Sequence, residues 1–190
     1  WIASLDGALA NCYIRAEEWR LALGAIDRMM DSLPTVVKAQ VQNLLGVDNP
    51  ELSKLWTKAY RAELLSREGR IFLQIGGLDE AKQLFAAAKT CWTSMKSLTI
   101  PLPEALAKRN TTLQVVTESM LEINDGLVHF SESNYEQALE AFGGATEILK
   151  LHAGGFTSSY QNAEWLGPSI AGCQTTSRLY HEAVNNSSLC

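Results

Sequence analysis

One pattern recurs three times in this chain and limits what it can fold into. In "GRIFLQIGGLDEAKQLFAAA" (69–88) a small residue, Gly69, is followed by Phe72, Gly76, Leu78, Ala81, Phe85 and Ala88. Displaced N-terminally by 59 residues, the same template meets Ala10, Tyr13, Glu17, Trp19, Ala22, Ile26 and Met29. Displaced C-terminally by 57, it meets Gly126, His129, Ser133, Tyr135, Ala138, Phe142 and Ala145. Self-similarity of this kind marks a chain built from stacked supersecondary units, each too small to bury its own apolar face.

The template has a physical reading as a helical hairpin. Small residues at 69 and 81 are expected to face each other and let two helices approach closely, with the aromatic three residues on filling the gap beside the contact. Gly76 is expected to close the first helix in a left-handed conformation that glycine adopts without strain. Leu78 to Ala88 then supplies the apolar stripe of the second helix.

The rest of the chain also reads as helix. Apolar residues recur three and four apart, as at Leu21, Ile26 and Met29 and at Leu106, Leu113 and Val116, and none of the Val, Ile or Thr residues alternates with polar ones over a strand's length. The prolines (34, 50, 101, 103 and 168) are placed near helix ends, and Asp48-Asn49-Pro50-Glu51 reads as a helix start with Pro50 in its first turn. The segments 35–60 and 97–118 stand between the recurring units and read as helical, predicting lengthened first helices and an added helical segment. Gly143 and Gly144 fall inside a second helix, which they weaken unless another backbone packs closely there. Residues 152–169 read as a loop.

The pattern small–x2–aromatic, Gly, aromatic–x2–Ala–x3–Phe–x2–Ala resembles the tetratricopeptide repeat. "LANCYIRAEEWRLALGAIDRMMDSLP" (9–34) carries it to a terminal Pro34, and "DGLVHFSESNYEQALEAFGGATEI" (125–148) is the third copy. The spacing of 57–59 residues departs from the family's period of about 34. The resemblance implies an all-α tetratricopeptide-like solenoid forming one domain over 1–190, with repeats near 3–36, 62–95 and 119–152 and a truncated fourth from about 181. "GRIFLQIGGLDEAKQLF", "LANCYIRAEEW" and "EAVNNSSLC" are further similar, in order, to a tetratricopeptide subunit family of the TRAPP vesicle-tethering complexes. That likeness implies a protein-binding scaffold in traffic between endoplasmic reticulum and Golgi, cytoplasmic or peripheral at those membranes, with other protein subunits as partners. It also implies that Asn185 to Cys190 begins a cut repeat; a chain that starts at Trp1 rather than Met is expected to be a fragment.

In that family the first helices line a concave face. The corresponding positions here are Asn11 and Arg15, then Arg67, Arg70 and Gln74, then Asn124, Leu127 and Phe130. Trp165, in the Gly- and Ser-containing stretch, is a candidate exposed anchor. Arg67 and Arg70 share a face and could grip carboxylates, or be neutralised by Glu63 and Glu68. A co-chaperone or other adaptor holding a peptide in the groove is the alternative, with Asn11 and Asn124 matching a carboxylate clamp in type but without the neighbouring lysines.

Other function classes find little in the sequence. A net charge of −5 without a basic stripe argues against nucleic acid, and no apolar run approaches the ~20 residues of a membrane span. Cys12, Cys91, Cys173 and Cys190 have no metal-ligand spacing and read as buried, reduced thiols. The three histidines (129, 152 and 181) stand in no catalytic arrangement, and no phosphate-binding loop occurs, so neither an enzyme nor a cofactor is expected. Trp19 fits a packing position, whereas Trp56 and Trp92 could serve the core or an interface.

Overall fold

The structure is a computed structural model that describes residues 2–96, 102 and 104–156. Every regular element among the described residues is a helix: α1 (Ile2–Arg15), α2 (Trp19–Leu45), α3 (Pro50–Gln74), α4 (Leu78–Lys96), α5 (Glu104–Ser131) and α6 (Tyr135–Phe156). The chain is all-α. Its contacts divide it into two compact units, Trp1–Pro101 and Leu102–Cys190. The first contains α1 to α4, with α1 packed on α2, α2 on α3 and α3 on α4; in the second, α5 packs on α6.

The three template copies form three equivalent turns. The backbone is left-handed at Glu17 (φ 58°), Gly76 (φ 85°) and Ser133 (φ 62°), the three positions aligned by the template. In each turn the following amide donates back across the helix end: Glu18 N to Tyr13 O at 2.9 Å, Gly77 N to Phe72 O at 2.8 Å, and Asn134 N to His129 O at 2.9 Å. These six-residue closures satisfy carbonyls that the end of a helix would otherwise leave unpaired. The next helix then starts identically, with Ala22 N, Ala81 N and Ala138 N each donating at 3.0 Å to the carbonyls of Glu18, Gly77 and Asn134. The reversal therefore survives the loss of glycine at two of its three sites.

The close approach inside each hairpin also takes in the side chain one turn beyond the alanine. Gly69 and Ala81 are both buried, and a Cβ on Gly69 would come within 2.5 Å of Phe85 Cε1. A Cβ on Gly126 would meet the Phe142 ring in the same way. The small residue makes room for the ring one turn beyond the alanine. In the first hairpin the corresponding pair is Ala10 and Ile26, both fully buried in one cluster. A methyl group on one side goes with a smaller side chain on the other, as close packing demands.

That cluster joins Ala22 and Ala25 of α2 to Leu64 and Ile71 of α3, so the first two hairpins share a core. Trp56 (0% exposed) and Trp92 (5%) are core residues, and Trp19 packs partly buried on the first cluster. In the second unit, Ile123, Ala138, Phe142 and Ala145 form the corresponding core. α6 runs through Gly143 and Gly144, and among the described residues no other backbone lies within 4 Å of a Cβ built on Gly143, while the nearest group to a Cβ on Gly144 is the Glu122 carboxylate, at 3.6 Å.

The segment 35–60 adds no separate helix. α2 runs for 27 residues through Pro34, and α3 begins at Pro50. Pro34 is thus interior rather than terminal, although a proline inside a helix costs roughly 3 kcal/mol. The continuation buries Val37 and Val41 almost completely, and burial of two such side chains contributes about 3 kcal/mol or more, enough to offset the proline. Gly46 (φ 70°) ends α2, and Asn49 caps α3 by accepting from Leu52 N at 3.0 Å, with Pro50 following as the Asp48–Glu51 motif anticipates. Among the described residues no helix is long and apolar enough to cross a membrane.

Candidate functional site

α1 and α3 carry the candidate face of the first unit, and the structure brings part of it together. Arg67 Nη1 donates to Asn11 Oδ1 at 3.1 Å, joining residues 56 apart in sequence. Arg67 Nη2 donates to Glu63 Oε1 at 2.7 Å, one turn away on α3. Asn11 and Arg67 are therefore already bonded to each other, and the Arg67 fork is aimed along the surface at its own scaffold. The triad links the side chains of α1 and α3. Arg15 and Gln74 are exposed on the same helices.

Arg70 lies on the same face as Arg67, half-buried. Burial pushes its guanidinium down to about 10; the nearby Arg67 charge pushes the same way, and Glu63 opposes both. The Glu68 carboxyl is raised above its ordinary value, first by burial and then by the negative charge of Asp27. Two like charges from α2 and α3 thus face one another where these helices pack.

The third hairpin's candidates serve packing. Asn124 is 1% exposed. Leu127 and Phe130 pack, partly buried, against the α5–α6 core. The Phe130 ring meets Tyr135 edge to face across the turn, at 5.6 Å between centroids and 68° between planes. Half-buried His129 fills the template's aromatic position, and its buried Nδ1 has no hydrogen-bond partner among the described residues. Trp165, residues 157–169 of the expected loop and the cut repeat from about 181 lie outside the described residues.

Two further expectations change. Cys12 is exposed on α1 and Cys91 is half-buried, both as free thiols, so neither is the fully buried cysteine its spacing suggested. Among the described residues no group of three or more His, Cys, Asp or Glu is placed to hold a metal ion. A basic groove between α2 and α3 escaped the sequence reading. Its signal was present in Lys54, Lys58 and Arg61, spaced four and three apart on one helical face.

No family model, no curated protein and no solved structure matches the chain.

Proposed function

We propose that this chain is a tetratricopeptide-like α-solenoid that acts as a protein-binding scaffold within a multisubunit assembly. The observation that carries the reading is the threefold recurrence of one hairpin turn, left-handed at Glu17, Gly76 and Ser133 and closed by the same backbone bond each time. Hairpins that repeat in this manner build long surfaces made from many helices, and such surfaces suit extended protein partners. The stretches "LANCYIRAEEW" (9–19), "GRIFLQIGGLDEAKQLF" (69–85) and "EAVNNSSLC" (182–190) resemble subunit 12 of the trafficking protein particle complexes. On that likeness the assembly is a TRAPP-type vesicle tether, and the chain works in the cytoplasm or at the periphery of endoplasmic reticulum and Golgi membranes.

The adaptor alternative has less support. A carboxylate clamp needs accessible amide side chains, whereas Asn124 is buried and the oxygen of exposed Asn11 already accepts from Arg67. Affinity capture from cells with this chain as bait, read by mass spectrometry, separates the two. Recovery of TRAPP subunits supports the tethering role; recovery of a heat-shock chaperone without them replaces it with the adaptor role.

A further inference from the structure

The residues that lengthen the spacing between the first two hairpins build a groove of about 480 Å³ between α2 and α3. All of its walls come from the stretch between Pro34 and Arg61. Four cationic side chains line it, Lys38, Lys54, Lys58 and Arg61, against a single carboxylate, Asp48. Lys38 pairs with Asp48 at 3.2 Å, and Lys58 Nζ donates to Ser94 Oγ at 2.9 Å on α4. Among the described residues Lys54 and Arg61 have no ion-pair partner. Among the described residues the Ser53 hydroxyl, on the same wall, is buried without a hydrogen-bond partner. A local excess of positive charge in a chain of net charge −5 is a specific feature rather than a general one.

We propose that this groove binds an acidic segment of a partner protein in extended conformation. The spacing of its charges argues for that occupant. Lys54, Lys58 and Arg61 follow one face of α3, and the seven residues from Lys54 to Arg61 rise about 10 Å. An extended chain in the polyproline-II conformation advances about 3.1 Å per residue and repeats every three residues, so carboxylates three residues apart share one face and span about 9 Å. Lys54 and Arg61 then meet the two carboxylates, with Arg61 able to grip one through its planar fork. The exposed rings of Pro34 and Pro50 add apolar surface beside them. A duplex or an anionic membrane offers a far larger charged surface and would be repelled by the chain's net negative charge, whereas a short acidic segment sees mainly the groove.

This site is separate from the Asn11–Arg67–Glu63 triad. With helical residues advancing by about 100° each, Arg67 and Arg70 point roughly opposite to the Lys54–Lys58–Arg61 face. Its test therefore does not depend on membership of a tethering complex.

The experiment uses the 190-residue chain and a fluorescein-labelled peptide containing Asp-Gly-Gly-Glu, with an Asn-Gly-Gly-Gln peptide as control. Anisotropy should show saturable binding of the acidic peptide alone, weakening as salt rises. Lys54→Glu with Arg61→Glu should reduce affinity at least about tenfold. Lys54→Gln with Arg61→Gln should give a smaller loss, and Arg20→Glu, exposed elsewhere on α2, should bind as the parent does. Helical circular dichroism and the melting temperature, unchanged within about 2 °C, show that the variants remain folded. The proposal is overturned if the acidic peptide fails to bind at millimolar concentration, if the amide peptide binds as well, or if the double reversal leaves affinity intact. Binding to phosphatidylserine vesicles that requires Lys54 and Arg61, with no binding of the peptide, would also overturn it and assign the groove to a lipid surface.

Discussion

Gly69→Ala offers a sharp test of the packing rule inside the hairpins, because two effects oppose each other there. Alanine is the better helix former by about 1 kcal/mol. Against this, the new Cβ would sit 2.5 Å from Phe85 Cε1, 2.8 Å from Cδ1 and 3.1 Å from Cζ. Carbon atoms in comfortable contact are about 3.5–4.0 Å apart, so the ring must retreat by about 1 Å. Phe85 is 5% exposed and has little room to do so. Overpacking of this kind costs about 1–3 kcal/mol. After the propensity gain, the variant should be less stable by about 1–2 kcal/mol. Phe85→Ile leaves a void and is destabilising alone, but the pair Gly69→Ala with Phe85→Ile recreates the Ala10–Ile26 combination of the first hairpin. The double variant should therefore be more stable than the sum of the single changes predicts, by about 1–2 kcal/mol. Thermal and urea unfolding followed by helical circular dichroism give all four corners of the cycle, read on the transition of the first unit. If Gly69→Ala is neutral or stabilising and the cycle shows no coupling, the small position is not reserved for the ring, and the hairpin register drawn here is wrong.

Other changes probe the turns and the buried charges. Ser133→Gly should raise the melting temperature slightly, a gain of about 0.5 kcal/mol as left-handed strain is released, while Gly76→Ala should cost about 1 kcal/mol; a lower melting temperature for Ser133→Gly would count against strain at the turn. Arg28 Nε and Nη2 both donate to Asp6 Oδ1, at 3.0 and 2.8 Å, and Asp6 is only 7% exposed. Arg28→Ala should therefore cost about 1–2 kcal/mol, part of which the added change Asp6→Ala should restore in the same melts. Because the folded-state pKa of Glu68 lies above its unfolded value, its proton favours the folded chain, and stability falls as pH rises from about 4.5 through the raised pKa. Glu68→Gln should consequently melt higher than the parent at pH 7, with the difference closing as pH falls toward 4.5; a difference independent of pH would place the effect outside this carboxyl.

Much of the local architecture was legible because it depends on neighbours within one or two helical turns. The seven template positions located all three reversals, and Asp48-Asn49-Pro50-Glu51 located the start of α3. The template even foretold the turn at Glu17 and Ser133, where glycine is absent, since the backbone closure needs only the two helices on either side. Candidate site residues were less legible. Their positions in the repeats said which helix carried them, but not that Arg67 would reach Asn11 or that Asn124 would be buried.

Alone, the sequence determined that the chain is helical, that it turns three times in one manner, and that small residues alternate with aromatic ones where helices meet. Those properties follow from side-chain size and period, which are local. Tertiary structure decided the rest. It set the Phe85 ring against Gly69, because helix packing is set by which turns interdigitate. It carried α2 through Pro34, because the burial of Val37 and Val41 outweighs a local penalty that the sequence shows in isolation. It also gathered Lys38, Lys54, Lys58 and Arg61 around one groove, since only the pairing of α2 with α3 brings Lys38 opposite the other three.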